Sequence, residues 1–239
     1  MKQNKNILGI IPSRGGSKRV KNKNTKPFAN TTLLDIAIKQ GLNSKLLDKL
    51  VVSSDSKKAN DISKNYIQYG LTFISRPEKL AKDNSTALEY MIHAIDYFEK
   101  KGQYFDIIVI LQPTSPFREA KQIDSTIELL LKNYDNSDSC VSIAKIPHEI
   151  HPHKIKTLDQ NYLKGWMMEE GQNTAEHQIP SLYVRNCAVY VFKTENIKVG
   201  ISYGDRCLGY KMGSDSLIDI NTKLDFDFAV YRYKRLDKL

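Results

Sequence analysis

Ile7-Leu8-Gly9-Ile10-Ile11-Pro12-Ser13-Arg14-Gly15-Gly16-Ser17-Lys18-Arg19-Val20-Lys21-Asn22-Lys23-Asn24 is the stretch from which the architecture can be read. The continuous apolar run Ile7–Ile11, set between Asn6 and Pro12, suits a strand buried on both faces. A glycine-rich basic loop follows as far as Pro27. Leu33, Leu34, Ile36, Ala37, Ile38 and Leu42 then recur at helical spacing, with Thr32 as N-cap. Strand, loop and helix in that order predict one edge of a sheet where a ligand can meet main-chain amides.

The alternation continues outward. Leu50–Ser53 reads as a strand, Ser56–Tyr69 as a helix ending at Gly70, and Leu71–Ile74 as a strand. Asn84–Lys101 is amphipathic, its stripe carried by Ala87, Tyr90, Met91, Ala94, Ile95 and Phe98, with Gly102 beyond its end. Ile107–Leu111 reads as a strand stopped by Pro113 and Pro116, Ala120–Tyr134 as a helix, and Ser139–Ala144 as a strand. This predicts an α/β fold, a parallel sheet covered by helices on both faces, with ligand loops along the strand C-termini. From Pro147 to Pro180 the pattern loosens into a polar excursion. Leu182–Phe192 returns to strand character, and Leu224–Leu236 closes as a helix.

The chain has 239 residues, 41% hydrophobic and 26% charged, a length that suits one large domain over 1–239. No apolar run approaches the ~20 residues of a membrane span. Met1–Asn6 is polar with no signal-peptide core behind it. Cys140, Cys187 and Cys207 are too scattered for a disulfide framework or a CxxC knuckle. The expectation is a soluble cytoplasmic protein that does not use the membrane.

Charge is concentrated. Of the net +9, nearly all arises before Leu34, where eight basic residues precede the first acidic one, Asp35. An anionic partner is implied, with nucleic acid, acidic lipid and nucleoside triphosphate all open. The loop is neither GxxxxGK[ST] nor GxGxxG. Its paired glycines, Gly15 and Gly16, let main-chain N–H groups approach an anion, and Arg14, Lys18 and Lys23 can neutralise a triphosphate. A flexible basic turn and an RNA-binding loop are the alternatives, the latter weakened because no aromatic residue stands among these cations.

Two further motifs carry chemistry. In Leu111-Gln112-Pro113-Thr114-Ser115-Pro116-Phe117-Arg118, two prolines stiffen a turn where the sheet edge opens, presenting the Gln112 amide and the Arg118 charge to a ligand. In Ser216-Leu217-Ile218-Asp219-Ile220-Asn221-Thr222, Asp219 and Asn221 would face one side of a short strand and offer oxygen ligands suited to Mg²⁺. A helix-capping or surface position is the plainer role for such an aspartate.

Together these motifs resemble those of the acylneuraminate cytidylyltransferases. That pattern runs ARGGSKR[IV]PxKN, RPxxLAxD, LQPTSPLR, HPxK, NGAIY and DIDxxxDF. Here it appears as Ser13–Asn24, Arg76–Asp83, Leu111–Arg118, His151–Lys154, Asn186–Tyr190 and Asp219–Asn221 with Asp225-Phe226. The resemblance implies a Rossmann-like three-layer nucleotide-diphosphosugar transferase fold with a mostly parallel central sheet. It implies Mg²⁺-assisted transfer of CMP from CTP to the anomeric hydroxyl of a nine-carbon α-keto acid sugar. By resemblance, Arg14, Gly15, Gly16, Ser17, Lys18, Lys23, Asn24, Arg76 and Thr86 bind nucleotide, with Arg14, Lys23 and Asp219 catalytic. Gln112, Lys154, Arg185, Asn186 and Tyr190 meet the sugar, and Asp219 and Asn221 hold metal. The partners implied are CTP and a sugar acid, not nucleic acid, and a second copy of the chain docked through the excursion at about 145–181.

Several positions depart from the pattern. Asn221 replaces an acidic ligand and leaves the number of metal ions open. Lys21 replaces a proline, loosening the loop or adding a phosphate contact. Cys187 replaces a glycine. Glu176 stands where an arginine commonly grips the sugar carboxylate, with Arg185 as a candidate to compensate. His148, His151 and His153 with Glu149 are expected to be exposed polar residues rather than a metal site. Trp166, Met167 and Met168 are expected to serve an interface or a small core.

Overall fold

The computed structural model describes residues 5–82, 84–167 and 179–236. In chain order its elements are β1 (Ile7–Pro12), β2 (Pro27–Phe28), β3 (Thr31–Thr32), α1 (Leu33–Leu42), β4 (Lys49–Ser54), α2 (Lys57–Lys64), β5 (Leu71–Ser75) and α3 (Ala87–Glu99). There follow β6 (Ile107–Leu111), α4 (Ala120–Lys132), β7 (Ser139–Lys145), β8 (Lys156–Asp159), β9 (Tyr162–Gly165), β10 (Tyr183–Lys193), α5 (Thr194–Lys198), β11 (Cys207–Met212) and α6 (Lys223–Leu236).

Seven strands form the central sheet in the order β11-β7-β10-β6-β1-β4-β5. Neighbours pair in parallel except β10, which runs antiparallel to both β6 and β7. The α/β expectation of a mostly parallel sheet therefore holds.

The reason lies in the apolar runs. Along β1, Ile7 and Ile11 enter one core with α1, α2 and α4, while Leu8 and Ile10 enter the opposite core with α3 and α5. β6 divides likewise, Ile107, Val109 and Leu111 on one side and Ile108 and Ile110 on the other. Each such side chain removed from water contributes about 1.5–3 kcal/mol relative to leaving it exposed. A strand sealed on both faces must be apolar at every position, which is why these two runs read so plainly.

β1 and β6 are adjacent in the sheet, yet their crossovers diverge, from β1 out to β4 and from β6 out towards β7. Their following loops separate at the strand C-termini and leave a crevice, the usual ligand position in open α/β sheets.

Some local expectations change. The helix predicted over Ser56–Tyr69 ends at Lys64, and a 3₁₀ turn at Ile67–Tyr69 leads to Gly70 at φ +93°. Asn84–Lys101 shortens to α3, because Thr86 and Glu89 close a capping box at its start. Ser216–Thr222 is not a strand. Residues Ser214–Leu217 form a 3₁₀ turn, and the chain then runs irregularly into α6. The edge strand β11 lies outside the sequence expectations, although Leu208, Tyr210 and Met212 alternate with the exposed Cys207, Gly209 and Lys211. The excursion holds the β8–β9 hairpin, separate from the main sheet. Glu176 and Met168 lie outside the described residues, as does Asp83.

His151 corrects the reading of an exposed histidine. It is buried, its Nε2 lies 3.1 Å from the Pro180 carbonyl oxygen and its Nδ1 accepts from the His153 amide, so it pins the two ends of the excursion together. Trp166 and Met167 are exposed rather than part of a small core. Among the described residues, no helix is long and apolar enough to cross a membrane.

β10 carries a bulge where Arg185 pairs with Ile143 but Tyr190 with Val141. Cys187 sits inside it at φ +60°, a left-handed conformation that costs a residue with a Cβ about 1–2 kcal/mol. This explains the glycine of the family pattern at this position. We expect Cys187→Gly to match or exceed the parent in urea unfolding by up to about 1 kcal/mol, and β-branched Cys187→Val to lose about 1–2 kcal/mol. A Val variant as stable as the parent would show that the bulge imposes no such demand.

Candidate active site

A cleft of about 530 Å³ opens at the C-terminal ends of β1 and β6. One wall is the basic loop after β1. Another is the turn after β6, contributing Gln112, Pro113 and Thr114. The segment before α6 adds Asn221, and α3 with its preceding turn adds Ser85, Ala87 and Tyr90.

The loop reaches the cleft through side chains more than through glycine amides. Arg14, Ser17, Lys18, Lys23 and Asn24 line it. Gly15 instead donates its N–H to Asp55 Oδ1 at 2.8 Å, and a Cβ there would lie 3.3 Å from that of Ser56. Gly16 is exposed with open space around it. The expectation that both glycines turn amides to an anion therefore fails for Gly15, whose amide is already paired with a carboxylate.

Lys23 is half-buried, and its Nζ donates to the carbonyl of Ile220. Burial pushes its ammonium below the ordinary lysine range. Asp219 and Asp225 pull it back up, while Arg19 and Arg14 press it further down. The Ile220 amide in turn donates to the Thr114 carbonyl at 3.0 Å. Three motifs far apart in sequence thus meet at one main-chain unit.

Asp219 and Asn221 are neighbours even without a strand between them: Asn221 Nδ2 donates to Asp219 Oδ2 at 2.8 Å. The other carboxylate oxygen of Asp219 is buried without a hydrogen-bond partner, and so is Oδ1 of Asn24. Buried oxygens left in that state are uncommon and mark places where a donor or cation is missing. Asp225 has a different task. Its Oδ2 accepts from the amides of Asn221 at 2.9 Å and Thr222 at 2.7 Å, and those amides hold its carboxyl below the usual range.

Arg76 is buried beside the cleft. Its Nε donates to Ser53 Oγ at 3.2 Å, its Nη2 donates to the Ser53 carbonyl at 2.8 Å, and its guanidinium lies 4.8 Å from the Tyr90 ring centroid. Thr86 is beside the cleft but committed to capping. Its Oγ1 accepts from the Glu89 amide while Glu89 accepts from the Thr86 amide, and Ser85 and Ala87 take the lining positions. Tyr90 was read only as part of a helical stripe; no periodicity distinguishes a ring facing a cleft from one facing a core.

Arg118 departs from the expectation of a ligand-facing charge. It is buried, its Nη1 donates to the carbonyls of Gln112 at 3.0 Å and Ala188 at 2.8 Å, and burial disfavours its charged form. It ties the turn after β6 to the bulge of β10. Gln112 itself lines the cleft.

The remaining sugar-side candidates divide. Asn186 is buried, accepting from Ser142 Oγ at 2.5 Å and donating to Met212 Sδ at 3.2 Å, so its amide is spent inside the bulge. Tyr190 is buried beside Cys187, whose thiol burial pushes up and which also adjoins Asp219. Arg185 is exposed, its guanidinium 4.6 Å from the Tyr203 ring. Lys154 is exposed on a 3₁₀ turn of the excursion and does not line the cleft.

Among the described residues there is no group of three or more His, Cys, Asp or Glu that could hold a metal. Asp219 and Asn221 alone offer one carboxylate and one amide carbonyl. That set fits Mg²⁺ only where ligand phosphates and water complete the shell, which is the common arrangement for this ion.

Comparison with known proteins agrees with this geometry. The family model described as Cytidylyltransferase matches residues 8–206. The chain is 30% identical over 225 residues to CMP-N,N'-diacetyllegionaminic acid synthase of Legionella pneumophila, covering 92% of this chain and 93% of that one. It is 27% identical over 225 residues to N-acylneuraminate cytidylyltransferase of Escherichia coli, covering 94% of this chain but 51% of the relative, so it spans about half that protein's length. The solved CMP:2-keto-3-deoxy-manno-octonic acid synthetase, complexed with CTP, shares the fold at TM-score 0.70 and 10% identity, covering 97% of this chain and 99% of that one. With the match running through the basic loop, the turn after β6 and the bulged strand, the chain belongs to the cytidylyltransferase family, among the acylneuraminate cytidylyltransferases that its motifs resemble.

Proposed function

We propose that the protein transfers CMP from CTP to the anomeric hydroxyl of a nine-carbon α-keto acid sugar, of the sialic, legionaminic or pseudaminic kind, and releases pyrophosphate. The observation that carries this is the junction at Ile220, where Lys23, Thr114 and the Asp219–Asn221 segment border one cleft with cations along one wall. The family match and the relatives named for sialic and legionaminic acids support the same substrates.

In this proposal Arg14, Lys18 and Lys23 hold the triphosphate and stabilise charge growing on the departing pyrophosphate. Ser17, Asn24 and Arg76 hold the rest of the nucleotide, the unpartnered Asn24 Oδ1 being an acceptor for one of its donors. Gln112 faces the acceptor sugar, Tyr190 is buried beside Cys187 and acts as support rather than contact, and Arg185 meets the sugar carboxylate. Asp219 accepts the proton of the attacking hydroxyl. Mg²⁺ on Asp219 and Asn221 would supply charge neutralisation to the phosphate oxygens. An in-line displacement at phosphorus needs positioning and charge more than covalent help, and no nucleophilic side chain is required.

We further propose a single domain over 1–239 that works in the cytoplasm as a homodimer. Leu158, Tyr162, Leu163 and Trp166 stand 68%, 73%, 58% and 67% exposed on or beside one hairpin. Such a concentration of large apolar side chains is costly in water and marks a contact surface.

Pyrophosphate release is expected with CTP and at least one acid from a panel of sialic, legionaminic, pseudaminic and octulosonic acids at millimolar Mg²⁺. Arg14→Ala should cut that rate by about 10²-fold or more while leaving the melting temperature close to the parent's. No turnover with any acid would remove the proposal, and a full rate in Arg14→Ala would remove the basic loop from it.

Asn221→Asp sets a second carboxylate against Asp219. It should lower the Mg²⁺ concentration for half-maximal activity several-fold and lower the melting temperature when Mg²⁺ is withheld, because like charges then face each other unscreened. An unchanged Mg²⁺ requirement would separate this pair from the metal.

In sedimentation velocity the parent should run as a dimer, and Leu158→Asp with Leu163→Asp as a folded monomer. A dimer surviving both changes would place the contact elsewhere.

A further inference from the structure

Behind the basic loop lies a second cavity, of about 360 Å³, that the proposed reaction does not use. Arg19, Lys21, Lys26, Lys58 and Lys223 line it, and among the described residues no acidic one does. The five cations come from three elements: the loop, the first turn of α2, and the first residue of α6.

The loop is built to hold this shape. Asn22 takes a left-handed φ of +54°, and its carbonyl accepts from the amides of Thr25 at 2.9 Å and Lys26 at 2.8 Å. That turn sends Lys21 and Lys26 to the side away from Lys23 and Asn24. Lys21 therefore lines this cavity and not the cleft. Val20 and Pro27 supply apolar wall against which the lysine stems can lie. Among the described residues, Lys223 pairs with Asp227 at 3.3 Å, and the Lys26 ammonium lies 5.0 Å from the Phe226 ring centroid.

Positive charges gathered around one concave surface, with no carboxylate in its lining, repel one another until an anion fills the space. The lining contains no aromatic residue on which a nucleic-acid base could stack. A condensed phosphate carries several negative charges on a compact body and suits this arrangement. Arg19 and Val20 line both cavities, so the two anion positions would be separated only by the thickness of the loop.

We infer that the reverse face of the loop is a second anion site, for a pyrophosphate or longer condensed-phosphate group, distinct from the cleft that holds the triphosphate. Such a group can come as free pyrophosphate or as the tail of a second nucleotide. Binding there does not depend on the proposed transfer reaction, and its test reads binding.

Calorimetric titration of inorganic pyrophosphate into the full chain, in low-salt buffer with EDTA, should show two classes of site, both weakened by added KCl. Arg14→Ala with Lys18→Ala should remove the cleft class. Lys21→Gln, Lys26→Gln and Lys58→Gln combined should remove the other and leave the rate of CTP turnover at the parent value. A parallel titration with CTP identifies the source: a second equivalent bound by the parent and missing from the triple variant makes a nucleotide tail the occupant, and its absence makes free pyrophosphate the occupant. A single class of pyrophosphate site that the cleft variant abolishes, or a triple variant that titrates like the parent, overturns the inference. If the reverse-face class is present in a protein that turns over no CTP, the reaction proposed above fails and this site stands.

Discussion

The amide of Ile220 donates to Thr114, its carbonyl accepts from Lys23, and its side chain is wholly buried with Val20, Phe28, Leu33, Ile36 and Phe226. The cleft depends on this one residue because three of its walls come from segments about a hundred residues apart. Each of those segments is a loop, and none has a ladder of its own to hold it. Hydrogen bonds of this kind are modest individually, about 1 kcal/mol net in a typical case. What makes the junction firm is the apolar cluster beneath it, in which Phe28 meets the rings of Phe226 and Tyr233 edge-on at 5.5 and 5.2 Å.

A second fixed point works by a different route. The bulge in β10 interrupts the ladder to β7 and leaves carbonyls that no strand neighbour can satisfy. Arg118 meets this need from within, donating to Ala188 on the bulge and to Gln112 on the adjoining turn. Burying a guanidinium is expensive, and unpaired carbonyls at the same place would also be expensive, so the two demands offset each other. An arginine expected to present its charge to a ligand is thereby part of the frame that positions Gln112.

Electrostatics explains why the basic loop can be so dense without tearing itself apart. Asp55 takes the Gly15 amide at its base, and Asp219 and Asp225 lie close enough to Lys23 to favour its charged form. None of these three carboxylates lines the cleft, so the loop remains strongly positive towards anything that enters. Burial of Lys23 adds a directional element. An ammonium already partly stripped of water gives up less hydration when a phosphate reaches it.

The runs Ile7–Ile11 and Ile107–Leu111 declared their strands because both faces are buried and no position can be polar. Thr32 and its helix were equally plain, since capping is a local matter. The basic loop and the turn at Pro113 and Pro116 were also legible, because concentrated charge and paired prolines carry meaning wherever they sit. Other features were beyond local reading. Asp219 and Asn221 come together through an irregular segment docked on Thr114, not through strand alternation. Arg118 and Asn186 face inward because of a bulge that no periodicity announces, and Lys21 points behind the loop because Asn22 turns left-handed. Sequence alone determined the layers and the chemistry of the candidate loops, which depend on burial and residue type. Only the tertiary structure decided which of those polar groups reach the cleft and which are consumed in holding it open, because hydrogen-bond partners distant in the chain compete for the same atoms.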